Sequence, residues 1–150
     1  MNNQDAYLES NASHVPAVEL LKAMGYAYIS PANCNLQRGS RYHVLLKDIL
    51  RGQLRCLNRY SYAGIENEFS AANIERAMED LDEPLTDGLV RASEKIYDAL
   101  LLGRSYQEPV GEGKLLSFNL KYIDWDNWEN NVFHVTSVLF RASGRNADCN

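Results

Sequence analysis

The densest carboxylates beside a strand-like segment are Asp124, Asp126 and Glu129, within Tyr122 to Thr136, which reads YIDWDNWENNVFHVT. Oxygen ligands of that kind suit Mg2+, a hard cation. The competing reading is a solvated turn between two strands, in which Asp and Asn bond their own backbone. We adopt the turn. Trp125 and Trp128 fit it, since indoles can cover the core beneath such a loop. Glu9 is a second kind of candidate, just ahead of the first helix. There a carboxylate favours the helix dipole. The functional alternative is an accessory metal ligand, if that helix end faces an active site.

Other motifs are weaker. Gly111–Glu112–Gly113–Lys114 has the outline of a phosphate loop, but Glu108 stands where the first glycine belongs and Leu115 where Ser or Thr belongs. A turn is the expectation, with a hairpin tip as one form it can take, and no ATP site is recognisable. His14, His43 and His134 are far apart and have no ligand-like neighbour at helical spacing. His134 reads as a structural, hydrogen-bonded residue of a strand. No Ser or Cys sits in a nucleophile motif.

These residues stand in a chain long enough, at 150 residues, for one domain with a real core. The net charge of −5 argues against a broad basic face for DNA, though not against a local contact. Cys34, Cys56 and Cys149 are odd in number and form no C-x-x-C, so neither a zinc ribbon nor a redox pair is suggested. The N-terminal MNNQDAYLES lacks the basic start and apolar stretch of a secretory signal, and no apolar run is long enough to span a bilayer. A cytoplasmic protein without membrane partners is the expectation.

Apolar spacing supplies the framework. Ser13 is the expected cap of a helix running to Met24, with Pro16 in its first turn and Gly25 at its end. Tyr26 to Ile29 reads as a short strand and Pro31 to Arg41 as a polar loop. Leu46, Ile49, Leu50, Leu54 and Leu57 predict a helix over Val44 to Asn58. Arg59 to Glu68 reads as a turn-rich connection. Ser70 caps a helix with Ile74, Ala77, Met78 and Leu81 inward, broken at Asp82 to Pro84. Thr86 caps another, in which Leu89, Val90, Ile96, Tyr97, Leu100 and Leu101 form the stripe and Gly103 the stop. The period then changes to two, with Leu116, Phe118, Leu120 and Tyr122 on one strand face, and Val132 to Phe140 gives a second strand.

Taken in order, YLESNASHVPAVELLKAMGYAYIS, VLLKDILRGQLRCLNR, FSAANIERAMEDL, DGLVRASEKIYDALLLG and SFNLKYIDWDNWENNVFHVT resemble the N-terminal region of the restriction (R) subunit of type I restriction enzymes. The last segment carries most of the specificity, through its I-D-(aromatic)-x-N-x-x-N-N-x-F pattern.

The resemblance implies an α+β fold, with a helix-rich N-terminal part packed on an incomplete PD-(D/E)xK nuclease-like sheet. It implies one N-terminal domain, 1–150, that stops before the catalytic strands. The parent translocates double-stranded DNA with ATP and cuts it with Mg2+, held by an Asp and a Glu, with a Lys that positions or activates water. Its partners are modification (methyltransferase) and specificity subunits. This sequence has no Arg-Pro-Asp, and no Glu-x-Lys follows Phe140. Asp148 is either a stand-in for the metal Asp or part of the linker before it. The chain by itself is expected to lack nuclease and ATPase activity. The alternative is a non-catalytic scaffold that docks on the partner subunits or on the motor.

Overall fold

The computed structural model describes residues 13–39, 43–82 and 88–137. The chain divides into two compact units, one of Met1–Asn35 with Phe133–Asn150 and one of Leu36–Val132. Glu9, Asp148, Cys149, Thr86 and the end of the predicted strand at Phe140 lie outside the described residues.

In the first unit, α1 (Val15–Ala23) carries Pro16 in its opening turn, where a missing N–H costs nothing. His14, not Ser13, stands at the N-cap position, and no side chain caps that end. The predicted stop holds: Gly25 has φ 97°. Strand β1 (Ala27–Tyr28) then pairs in parallel with β6 (His134–Val135), with Ala27 N–H on Phe133 O and Ile29 N–H on Val135 O, both at 2.9 Å. Only His134 and Val135 of the longer expected strand are in a ladder among the described residues. Tyr26 and Phe133 pack their rings 5.3 Å apart beside this pair.

Pro31 begins a helix, not a polar loop. Helix α2 (Pro31–Arg38) has Ser30 at its entrance, whose Oγ accepts from Asn33 N–H at 3.3 Å. Ser-Pro is an N-cap followed by an N1 proline, a start signal that outweighs the polar composition. Cys34 is the residue this helix buries.

The second unit holds a larger core. Helix α3 (Lys47–Leu57) starts three residues later than the apolar spacing predicts, because residues 43–46 are non-helical and Leu46 is the N-cap. Leu54 on its inner face is fully buried. Arg59 to Glu68 is not a loose connection. It is a hairpin of β2 (Arg59–Tyr62) and β3 (Ile65–Glu68), closed by Ala63 and Gly64 with φ of 50° and 80°. A two-residue turn with both φ positive matches the twist of the flanking strands. Ala63 disguises it, since that residue type seldom adopts a positive φ.

Helix α4 (Ala71–Glu79) confirms its cap, with Ser70 Oγ accepting from Asn73 N–H, and its inward Ile74, Ala77 and Met78. Helix α5 (Leu89–Leu102) begins at Gly88 and buries Ala92 and Ala99. Leu89, Val90, Tyr97 and Leu101 of the expected stripe are exposed instead. Ala99 joins the core of this unit, and the hairpin of β4 (Arg104–Pro109) and β5 (Leu115–Leu120) follows. Gly111 to Lys114 turns between those strands, as expected of a hairpin tip.

Leu54, Phe69, Ile74, Ala77, Met78, Ala99, Tyr106, Leu120 and Tyr122 form the core of this unit. The described residues thus mix helices with three two-stranded sheets, an α+β arrangement. None of the described helices is long and apolar enough to cross a membrane.

Gly103 joins α5 to β4 at φ 74°, and a Cβ there would collide with the Leu120 carbonyl oxygen. Gly103→Ala is therefore expected to cost more than about 2 kcal/mol, from the unfavourable φ plus a backbone clash that no side-chain rotation relieves. Urea unfolding of the variant beside the parent chain checks this.

Candidate functional site: the Lys121–Asn131 loop

The carboxylate-rich segment is held in place from its first residue. Asn58, at the end of α3, is buried at 4% exposure. Its Nδ2 donates to Leu54 O (2.9 Å) and Lys121 O (2.8 Å), and its Oδ1 accepts from Lys121 N–H (2.8 Å). An amide side chain thus replaces a neighbouring strand for the residue that follows β5. Two-sided bonding of this sort needs both a donor and an acceptor, which Asn has.

Tyr122 points into the core next. Its hydroxyl donates to Ala77 O at 2.8 Å, while Tyr106 donates to Asp80 Oδ2 at 2.6 Å. The two phenol oxygens are 3.0 Å apart. Burial pushes both phenols above their ordinary pKa, and the Asp80 carboxylate adds to the rise at Tyr106. Arg104 lies 3.4 Å from Asp80 and balances its charge.

Asp124 is 3% exposed, so it is not the solvated turn residue that composition suggests. Its Oδ2 accepts from Asn130 Nδ2 (2.9 Å) and pairs with Lys121 Nζ (3.0 Å), and its Oδ1 accepts from Asn127 N–H (3.2 Å). The hydrogen bond from Asn130, with Lys121 next, lowers the Asp124 carboxyl from its ordinary 3.8 to about 2. Asn131 completes the loop: its Oδ1 accepts from Asp124 N–H, and its Nδ2 donates to the Asp124 and Trp128 carbonyls. The expected self-bonding of Asp and Asn is therefore present, around a buried Asp124. Gln53 of α3 reaches Asn130 O at 2.7 Å and fastens the far side.

The tryptophans depart from expectation. Each is 53% exposed, so they do not cover the core. Trp125 Nε1 donates to Leu100 O of α5 at 3.0 Å, and the two indoles lie 6.1 Å apart.

This geometry does not fit a metal centre. Both oxygens of Asp124 are engaged by protein donors, and Asp126 and Glu129 are exposed. Among the described residues no group of three His, Cys, Asp or Glu side chains could hold a metal ion. His14, His43 and His134 are not brought together in any such group.

Sequence reasoning missed two features. The Glu-x-Lys of this sequence is Glu112–Gly113–Lys114, whose side chains pair with each other at 3.5 Å on the exposed β4–β5 turn. Glu108 on β4 is 2% exposed, and its Oε1 accepts from Ser70 N–H (2.8 Å), Ser70 Oγ (3.0 Å) and Asn73 Nδ2 (2.7 Å). That carboxylate anchors the start of α4, which is a structural use. Its only sequence signal is an acidic residue at an inward position of an alternating strand, next to Pro109.

Residues 6–144 match the family model described as the N terminus of the type I restriction enzyme R protein. The chain belongs to this family. Comparison with curated proteins and with solved structures yields no match. In this chain of the R protein N-terminal family the loop is thus a bonded framework, with Asp124 serving architecture.

Two outcomes are expected. Asn58→Ala should cost about 2–3 kcal/mol, because three buried backbone groups lose their partner, and Asn58→Asp should not restore it, since two carbonyl oxygens would face a carboxylate. Chemical denaturation of both variants reads this. For Asp124 the folded pKa is depressed, so its contribution is complete above the ordinary 3.8 and fades as pH falls toward about 2. The gap in melting temperature between the parent chain and Asp124→Ala should stay level from neutral pH to about 5 and close between about 4 and 2.

Proposed function

We propose that this chain supplies the N-terminal part of an R subunit whose parent translocates double-stranded DNA with ATP and cleaves it with Mg2+. In this reading its fold is the first portion of a PD-(D/E)xK nuclease, and it works beside modification and specificity subunits. The observation that carries the reading is the family match over residues 6–144. A supporting one is local. The segment with the I-D-(aromatic)-x-N-x-x-N-N-x-F pattern folds as a firmly bonded loop that runs into β6, which already pairs in parallel with β1.

The chemistry belongs, in this proposal, to the assembled enzyme. The described carboxylates are committed to structure or exposed singly, so no step of cleavage is assigned to them. Glu9 and Asp148 remain the candidates for a carboxylate near the metal, and both lie outside the described residues. A domain that spans 1–150 and needs further strands to complete its catalytic set is the organisation we propose.

The purified chain, given Mg2+, ATP and duplex DNA, is expected to release neither nicked or cut DNA nor inorganic phosphate. It is expected to be retained by an immobilised type I modification subunit. Mg2+-dependent cleavage by the chain alone that disappears in Asp148→Ala or Glu9→Ala would overturn the proposed division of labour. Retention by the modification subunit without any cleavage after the rest of an R protein is supplied would favour the scaffold alternative instead.

A further inference from the structure

Helix α5 carries a second apolar side away from the core. Val90, Tyr97 and Leu101 are spaced by seven and four residues, which places them within about 40° of one another around the helix. They are 71%, 64% and 46% exposed. The stripe runs about 16 Å along the helix. It ends at the turn to which Trp125 is tied through Leu100 O, with Trp128 beside it. Exposed apolar surface that is contiguous marks interaction sites, and Trp and Tyr are the side chains that most often anchor them.

Charge selects the occupant. Glu94 lies about 40° from the middle of the stripe and Asp98 about 80°, whereas Arg91 and Lys95 lie about 100° and 140° away. Asp126 directly follows Trp125, and Glu129 directly follows Trp128. The rim is therefore acidic along the Glu94–Asp98 side and at the indole end. Phosphates of a nucleic acid would be repelled by it. A second copy of this chain would bring the same acidic rim to a two-fold contact.

We propose that the exposed stripe of α5, together with the Trp125–Trp128 pair, is a docking surface for a basic amphipathic segment of another protein. Apolar side chains of that segment would rest on Val90, Tyr97, Leu101 and the indoles, with Lys or Arg facing Glu94, Asp98, Asp126 and Glu129. This is helix-face recognition read through apolar anchors at helical spacing. It involves neither metal nor DNA, so it stands or falls separately from the cleavage proposal.

The chain has two tryptophans, both in this surface, so intrinsic fluorescence reports on it directly. The probe is a synthetic Leu/Lys peptide of helical period, compared with a Leu/Glu peptide of the same pattern and with a short DNA duplex. A saturable blue shift with Leu/Lys and none with the other two is expected. Tyr97→Ser and Leu101→Ser should each weaken binding about tenfold. Glu94→Gln combined with Asp98→Asn should weaken it and flatten its salt dependence. These positions are exposed, and unchanged circular dichroism and melting confirm that each variant is folded. If one apolar variant fails to fold, the other and the charge pair still decide. Equal binding of the Leu/Glu peptide, a response to duplex DNA alone, or a blue shift on concentrating the chain alone would each overturn the proposal. So would no response, or unchanged affinity in the folded variants.

Discussion

Asn58 stands where a strand would otherwise be needed. Backbone N–H and C=O groups that leave water must find partners. At the end of β5 the chain leaves its hairpin partner, because Leu120 is already paired with Arg104, where β4 begins. The Asn58 amide supplies both a donor and an acceptor to Lys121 and also closes the last turn of α3. That one side chain sets the height and direction at which the following residues leave the sheet. Tyr122 is then aimed inward, Ile123 packs on the core, and Asp124 falls beneath the loop it organises.

The same device recurs along the loop. Asp124 and Asn131 bond each other's backbone, and Asn130 and Lys121 share the carboxylate. Short polar side chains act here as substitutes for a ladder, which is the use that Asp and Asn find in turns. The Asp- and Asn-rich pattern of this loop is thus explained by connectivity. It describes how a chain with no neighbouring strand is held after it leaves β5. Buried carboxylates serve the same end elsewhere, as Glu108 does for the start of α4.

Legibility in the sequence followed the strength of local signals. Helices α3 and α4 were readable because a single apolar face coincides with the buried one, and Ser70 has both the position and the oxygen of a cap. The β4–β5 turn was readable from its glycines, although β4 itself, with Arg, Ser, Gln and Glu at four of its six positions, was not. Helix α2 was hidden by a polar composition that says nothing of its Ser-Pro start. The β2–β3 hairpin was hidden by Ala63, an unusual residue at positive φ. In α5 two apolar sides coexist, and periodicity cannot say which of them meets a core.

Sequence alone determined the family, the order of the main elements, the inward sides of α3 and α4, and the self-bonding of the Asp and Asn residues in the loop. Those follow from residue type and spacing, which act over a few residues. Tertiary structure alone decided that Asp124 is buried and paired, that α5 turns alanines inward and its larger side chains out, and that the indoles face solvent. Burial depends on what arrives from distant parts of the chain. Asn58 is 63 residues from Lys121, and Leu100 is 25 from Trp125. No local pattern records those meetings, because their partners become neighbours only when the core closes.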